Sequence, residues 1–406
     1  MESLLRSLQR VAFIFLILAV VPAILLRYMQ YNGGLVGFKF PFLLHTHSHV
    51  AMLGWVFTAI VTLFTRNWLP HTPEIVRKLK LTTVVLIVSV VGMLVSFPLQ
   101  GYAFWSILFS TLHIFAQLGF TWIFFKETET NREISVVFAR TALVLQMVSA
   151  LGALSVGPVA AAGYAGQPLY FMCIYFYLHF QYNGWMLFAI LALLLHFASR
   201  EEAPEQDRKL QQAMRMLLGG VVFTYAGMAL WCTDSLWIVI AALLGAVLQL
   251  VALIQLYRLI SPALYLWLRS LPVAVRILFT VSLISLAAKA MLQLLAVWPE
   301  LNDWIAAQRG IVIAYLHLVL LGFITSFLLG TFGITARKKA TPLMIAIFIF
   351  GSAFTITEII LVLSAPIPQL MSELDKAGAL FILAAAQFIG LLFFAFSGSD
   401  RNHTDV

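Results

Sequence analysis

Charged residues are scarce in this sequence. Asp, Glu, Lys and Arg make up 10% of the 406 residues, 62% are hydrophobic, and the mean hydropathy is +0.96. An average soluble domain carries roughly 25% charged residues, which keep its surface solvated. The shortage argues against a soluble domain and indicates a polytopic protein whose main partner is the lipid bilayer.

Cysteine and long polar linkers are also nearly absent. There are two cysteines, Cys173 and Cys232, and no C-x-x-C-H motif, which argues against a covalently attached c-type haem. Both cysteines map to outer ends of predicted helices, where a disulfide is possible and two unrelated thiols are the preferred interpretation. The longest polar stretch, residues 199–212, has the length of an ordinary loop. The sequence therefore predicts one transmembrane domain, residues 1–406.

Long apolar runs are what the sequence has in abundance. A helix crosses the hydrocarbon core in about 20 residues, and twelve runs reach that length. The first follows a basic stretch but lacks a clear small-residue cleavage site, so we interpret it as a span and not as a signal peptide. The result is an all-α bundle of twelve transmembrane helices, at residues 11–28, 41–65, 79–98, 102–125, 135–156, 170–198, 212–232, 235–257, 273–297, 309–333, 341–364 and 377–397.

The distribution of basic residues predicts the topology. The net charge is +8, but 20 of the 25 Lys and Arg residues lie at the termini or beside the loops after even-numbered spans. This clustering fits the positive-inside rule and argues against a nucleic-acid partner. We expect both termini in the cytoplasm and the protein in the inner cell membrane.

Four intramembrane histidines share a sequence pattern. His49, His179 and His317 are each followed five residues later by glycine and then an aromatic residue, in HVAMLGW, HFQYNGW and HLVLLGF; His113 begins the looser HIFAQLGF. All four lie about 8–11 residues past the outer end of a span, or roughly 12–16 Å deep at 1.5 Å per residue. Ionisable groups at that depth are rare and usually functional. Four in one layer predict haem or metal binding.

Each element of the pattern has a simpler alternative. An intramembrane histidine can form a hydrogen bond across helices or relay a proton. A glycine such as Gly54 or Gly322 can leave room for a macrocycle, but it equally permits close helix packing. The second span also carries His45 and His47, and His47 points away from His49 and could serve a second site. His45, near the surface, is interpreted as a solvated residue.

At these residues the chain resembles subunit I of the haem–copper oxidases and nitric oxide reductases. That family has twelve helices and holds a low-spin haem between histidines of helices 2 and 10. The resemblance implies haem b, with His49 and His317 as axial ligands. A second haem, copper or another metal could use His47 with His179 or His113.

The motifs themselves look most like those of NnrS, a haem- and copper-associated membrane protein family linked to nitric oxide. HTHSHVAMLGW continuing to TRNW resembles its second-helix motif, and HLVLLGFITSFLLGTFGITARKK its tenth-helix motif. The likeness at motif level covers some 50 residues.

Several positions depart from these families. The seventh span has no histidine, so the paired copper ligands of an oxidase are missing. Tyr315 and His317 stand where an oxidase has H-x-H, Asn183 replaces the tyrosine or glutamate of active oxidases and reductases, and Val50 replaces a glutamate of NnrS. Conventional oxidase activity is not expected, and any enzymatic role is that of a haem-dependent oxidoreductase.

Cations near the outer side complete the predicted haem site. Haem propionates need a positive partner, for which Lys289 in the ninth span and Arg309 at the start of the tenth are candidates. An ion pair between Lys289 and Glu358 is the competing explanation.

The preferred hypothesis is a b-type haem membrane protein acting in electron transfer or in a nitric oxide or oxygen response, with a redox partner protein. The alternatives are a proton-coupled secondary transporter and a non-catalytic, oxidase-like partner subunit.

Overall fold

The computed structural model describes residues 1–198, 204–233, 235–335 and 340–397, and these residues form helices and turns with no strand among them. Twelve helices in this part are long and apolar enough to cross a membrane. Each overlaps one predicted span, so the prediction of an all-α, multi-pass membrane protein is confirmed. They are α1 Glu2–Asn32, α2 Phe40–Trp68, α3 Pro73–Gln100, α4 Phe104–Glu127, α5 Ile134–Tyr164, α6 Pro168–Ala198, α7 Glu205–Cys232, α8 Leu236–Ser270, α9 Val273–Leu295, α10 Arg309–Thr335, α11 Thr341–Leu363 and α12 Glu373–Phe396. Five basic residues that contribute to the predicted topology lie outside the described residues, and so does His403. They are Arg200, Arg337, Lys338, Lys339 and Arg401.

Some helices run well beyond the apolar run that predicted them. The eighth span was predicted over residues 235–257, but α8 continues to Ser270. The hydropathy of the chain falls where the first charged residues occur, whereas a helix continues until a residue leaves the helical backbone conformation. In α8 this residue is Leu271, which has extended geometry (φ −83°, ψ 150°) and precedes Pro272. The residue before a proline is disfavoured in the α conformation, so α8 ends there.

Three membrane helices change from α to π geometry directly after their histidine. The π segments are Val50–Val56 in α2, Phe180–Met186 in α6 and Leu318–Thr325 in α10. They contain the three stricter copies of the glycine motif, whereas α4 stays α-helical through His113. A shared sequence pattern thus corresponds to a shared backbone irregularity, and π segments are frequent at functional sites.

The chain forms two compact units. The first comprises Met1–Glu129, Val273–Leu278 and Leu328–Val406, and the second Thr130–Pro272 and Phe279–Phe327. The first unit contains His45, His47, His49 and His113. The second contains His179, His317 and Lys289. The prediction of a single domain stays a prediction, and the sites of each unit are described separately.

Candidate functional site

The four motif histidines occupy equivalent positions along their helices. They lie in the first half of the helix, counted from the end that the predicted topology places on the outer side. His49 lies nine residues after Phe40, His113 nine after Phe104, His179 eleven after Pro168 and His317 eight after Arg309. At 1.5 Å per residue, these positions are roughly 12–16 Å from the helix start.

Irregular helix segments leave backbone carbonyls without their usual α-helical partners. In a bilayer each such group must be paired inside the protein. Three carbonyls in or beside the irregular segments accept hydrogen bonds from side chains of neighbouring helices. They are Leu53 from His113 (3.0 Å), Val221 from His179 (2.8 Å) and Phe323 from Ser282 (2.7 Å). Val221 lies four residues before the 3-10 segment Tyr225–Cys232 of α7.

His49 has the hydrogen-bond geometry of a metal ligand. Its Nδ1–H donates to the His45 carbonyl one turn earlier (2.8 Å), which leaves Nε2 with a lone pair. That Nε2 accepts a hydrogen bond from the hydroxyl of Tyr102 (3.1 Å). Metal-binding histidines typically donate their second ring N–H to a carbonyl or carboxylate in this way. The residue therefore fits one axial position of a haem.

Aromatic rings surround His49 on its outer side. The Phe97 ring centroid is 4.4 Å from that of His49, and Tyr102 lies 4.6 Å from the ring of His45. Tyr102 is 56% exposed. Its backbone follows Gly101, whose φ of 63° and contact with the Phe42 ring leave no space for a Cβ. The tight turn at Gly101 therefore sets where the Tyr102 ring lies against His45 and His49.

His47 points to another helix, as predicted for a residue on the opposite face of α2. Its Nδ1–H donates to the Ala19 carbonyl of α1 (2.8 Å). This is a cross-helix hydrogen bond, one of the alternatives for an intramembrane histidine. A role for His47 in a second haem site stays a prediction.

His113 and His179 have the same bonding pattern as each other. Both are fully buried. In each, Nε2–H donates to a backbone carbonyl of another helix and Nδ1 accepts from an amide four residues later, Gln117 (3.0 Å) for His113 and Asn183 (3.2 Å) for His179. Both ring nitrogens are thus paired with protein groups. This pattern favours the hydrogen-bonding alternative; metal binding by His113 and His179 stays a prediction that these bonds do not support.

His317 is half-buried at the residue where α10 changes to π geometry. Tyr315, two residues earlier, stands where the resemblance stated above leads one to expect a second histidine. The position of His317 before a π segment is the same as that of His49. His317 belongs to the second unit and His49 to the first, and axial ligation by His317 stays a prediction.

The motif glycines are close-packing positions. A Cβ on Gly54 would lie 3.0 Å from Val90 Cγ1 and 3.1 Å from Phe15 Cβ, and one on Gly322 would lie 2.7 Å from Ser285 Oγ. Gly184 of α6 faces Leu145 in the same way, at 3.3 Å. These contacts support the helix-packing alternative for Gly54 and Gly322. A contribution of either glycine to a cofactor pocket stays a prediction.

Lys289 is a fully buried cation in the second unit. Its Nζ donates to Gln293 Oε1 (3.0 Å) and to Gln249 Oε1 (3.5 Å). Gln249 Nε2 in turn donates to Thr224 Oγ1 of α7 (2.7 Å). The lysine is therefore held by amide oxygens at one end of a polar chain across α9, α8 and α7. The alternatives of a propionate contact and an ion pair with Glu358 both stay predictions.

Arg309, the second candidate cation, is exposed at the first residue of α10. No group of three or more His, Cys, Asp or Glu side chains in the described ranges could hold a metal ion. The hydrogen bonds of His49 fit a haem ligand, and copper binding stays a prediction. Cys173 and Cys232 are free thiols, in line with the preferred interpretation.

A hydrogen-bonded carboxylate lies near the C-terminal end of α6. His196 Nδ1 of α6 lies 3.4 Å from Oε1 of Glu133, the residue directly before α5. The hydrogen bond from His196 lowers the pKa of Glu133, helped by one from Ser135 and opposed by partial burial. The charged carboxylate thereby stays at the positive end of the α5 dipole.

Sequence reasoning missed the partners that decide what each histidine does. Tyr102 lies in a turn, and no pattern links it to α2. Gln117 and Asn183 were detectable in principle, because each follows its histidine by four residues and therefore shares its helix face. Thr224 and Gln249 are isolated polar residues in apolar spans, a signal of helix–helix hydrogen bonding.

Comparisons with known proteins identify a fold but no family. No family model and no curated protein matches this sequence. Among solved structures, the chain is similar to a haem–copper terminal oxidase, determined by cryo-EM as a dimer, with a TM-score of 0.68 and 10% identity. The alignment covers 98% of this chain and 85% of that one. The chain is thus a multi-pass membrane protein with a fold similar to that of haem–copper oxidase subunit I.

Proposed function

We propose that this chain is a b-type haem-binding membrane protein that transfers electrons or responds to nitric oxide or oxygen. It has no complete haem–copper centre for oxygen reduction. The observation that carries the proposal is His49, whose Nδ1–H donates to the His45 carbonyl and whose Nε2 accepts a hydrogen bond from the hydroxyl of the exposed Tyr102. The oxidase-like fold supports it by placing this histidine on the second of twelve membrane helices.

The second axial ligand in this proposal is His317. Six-coordinate haem iron takes two axial ligands from opposite sides. His317 is the motif histidine of the tenth helix, and like His49 it directly precedes a π segment. The pairing of the two rests on this shared position and on the resemblance to subunit I.

The remaining residues supply binding and orientation. The bound haem would supply one-electron chemistry. The His45 carbonyl orients the His49 ring and increases the electron density on Nε2, and the fully buried Lys289 or the exposed Arg309 would neutralise a propionate. The Tyr102 hydroxyl donates to Nε2 of His49, the atom that would bind the iron.

The missing ligand set argues against oxygen reduction. An oxidase completes its copper site with histidines on its seventh helix, and α7 contains none between Glu205 and Cys232. His179 forms hydrogen bonds with the Val221 carbonyl and the Asn183 amide.

The proposal also includes a redox partner protein as electron donor or acceptor. It assumes that the protein lies in the inner membrane with both termini in the cytoplasm. In its most specific form, it includes a relationship to the NnrS family.

An absorption spectrum of protein purified from haem-replete cells tests the proposal. We expect a Soret band and about one b-type haem per chain by pyridine haemochrome assay. His71→Ala is the matched control, because His71 is exposed in the loop between α2 and α3; it should retain full haem content. Protein without a Soret band under these conditions would contradict the proposal.

A proton-coupled transporter is the second candidate, and the fully buried Lys289 favours it. Ionisable residues inside the membrane often mark proton or substrate pathways. Proton-coupled uptake by haem-free protein in vesicles, abolished by Lys289→Met, would support this alternative.

A further inference from the structure

An unpaired polar cluster lies beside the π segment of α6, within the second unit. Gln146 of α5 and Gln181 of the π segment are each 1% exposed. Among the described residues, no protein atom pairs with Gln146 Nε2, Gln146 Oε1 or Gln181 Oε1. Buried amide atoms almost always have a partner, because an unpaired donor or acceptor in an apolar interior is costly.

One serine links the Gln181 amide to the helix that carries Gln146. Gln181 Nε2 donates to Ser149 Oγ (2.7 Å), and the Ser149 hydroxyl donates to the backbone carbonyl of Gln146 (2.7 Å). Ser149 is also fully buried. Gln146 and Ser149 are three residues apart on α5 and therefore share one helix face, so the Gln146 side chain and the Gln181 amide lie on the same side of α5.

The chemistry of the unpaired atoms identifies the ligand. Two are amide oxygens, which accept, and one is an amide N–H group, which donates. A metal ion would be bound by oxygens and repelled by the N–H group, and an anion would have the opposite problem. Water donates two hydrogen bonds and accepts two, so it matches a set with both donors and acceptors.

We infer that Gln146 and Gln181 bind an internal water molecule near the middle of α5 and α6. The water donates to the two amide oxygens and accepts from Gln146 Nε2. The same π segment carries Asn183, whose Oδ1 is likewise buried and unpaired while its Nδ2 donates to His179. The glycine motif of α6 thus borders a hydrated polar pocket, whereas that of α2 carries the proposed haem ligand.

Thermal unfolding of Gln146→Leu, Gln181→Leu and the double variant tests the inference. If a water bridges the two amides, each single substitution leaves the amide of the remaining glutamine without its bridge to the substituted one. We expect each to lower the melting temperature by about 2–4 °C. The double variant should lose less than the sum of the two, because it removes both ends of one bridge. Gln117→Leu is the matched control, since it breaks one direct amide bond to the buried His113.

If no water binds between Gln146 and Gln181, the opposite changes in melting temperature are expected. Removing a truly unpaired amide should raise the melting temperature, so a more stable Gln146→Leu variant overturns the inference, as do additive effects. Cryo-EM maps that resolve water should show density between Gln146 and Gln181; a metal ion there, detected by elemental analysis, also overturns it. Haem content reports separately on the proposed function and is expected to be unchanged in these variants.

Discussion

The hydroxyl of Tyr102 donates a 3.1 Å hydrogen bond to Nε2 of His49, the atom that the proposed haem iron would bind. The tyrosine therefore competes with iron for one lone pair. We expect Tyr102→Phe to bind haem at least as tightly as the wild type, because the ring stays and only the competing hydroxyl is lost. Haem titration into haem-depleted protein, followed at the Soret band, measures this. Weaker binding by the phenylalanine variant would show that the hydroxyl supports the site.

His113 is expected to stabilise the bundle without binding iron. Its substitution by leucine leaves the Leu53 carbonyl and the Gln117 amide without their partner, which costs about 1–3 kcal/mol per unpaired buried group. Thermal unfolding should show a lower melting temperature for His113→Leu. The spin state of the haem should be unchanged, and conversion of low-spin to high-spin iron would instead make His113 a ligand.

Gly54 is expected to be intolerant of any side chain. A Cβ would lie 3.0 Å from Val90 and 3.1 Å from Phe15, and overpacking a tight interface costs about 1–3 kcal/mol. Gly54→Ala should therefore lower the melting temperature. Gly219→Ala in α7 is the matched control, because no atom lies within 4 Å of its Cβ position; there we expect a small gain of about 0.4–1 kcal/mol. Equal effects at both positions would refute the packing role.

Lys289 is expected to matter for haem retention as well as for stability. Its ammonium is fully buried on two neutral amide oxygens. Lys289→Met leaves both oxygens without this donor, and an unpaired buried group costs about 1–3 kcal/mol, so the melting temperature should fall. The variant should also lose haem faster to apomyoglobin. A loss of stability with unchanged haem retention would mean that the lysine is purely structural.

The sequence predicts the membrane fold well because the feature that a bilayer requires, a long apolar run, is visible in each stretch of sequence by itself. Each span needs only a run of apolar residues, and the predicted spans, including those of α2, α6 and α10, were recognised from such runs. The π geometry of these segments was not predicted, since a π segment depends on which side chain pairs its displaced carbonyls. Ser282 and His113 supply that pairing from other helices.

The different hydrogen-bond partners of the motif histidines were predictable only in part. His49 and His179 share the same motif, yet one faces an exposed tyrosine and the other is engaged on both nitrogens. The difference arises from residues distant in sequence, Tyr102 and Val221. The repeated motif therefore corresponds to a repeated backbone geometry, whereas the hydrogen-bond partners of its histidines differ.

Electron paramagnetic resonance of the oxidised, haem-loaded protein tests the central claim most directly. The account predicts a low-spin ferric signal in the wild type and in His71→Ala, and its loss in both His49→Ala and His317→Ala. Retention of the low-spin signal in either of these two variants would contradict axial ligation by that histidine and, with it, the proposed site.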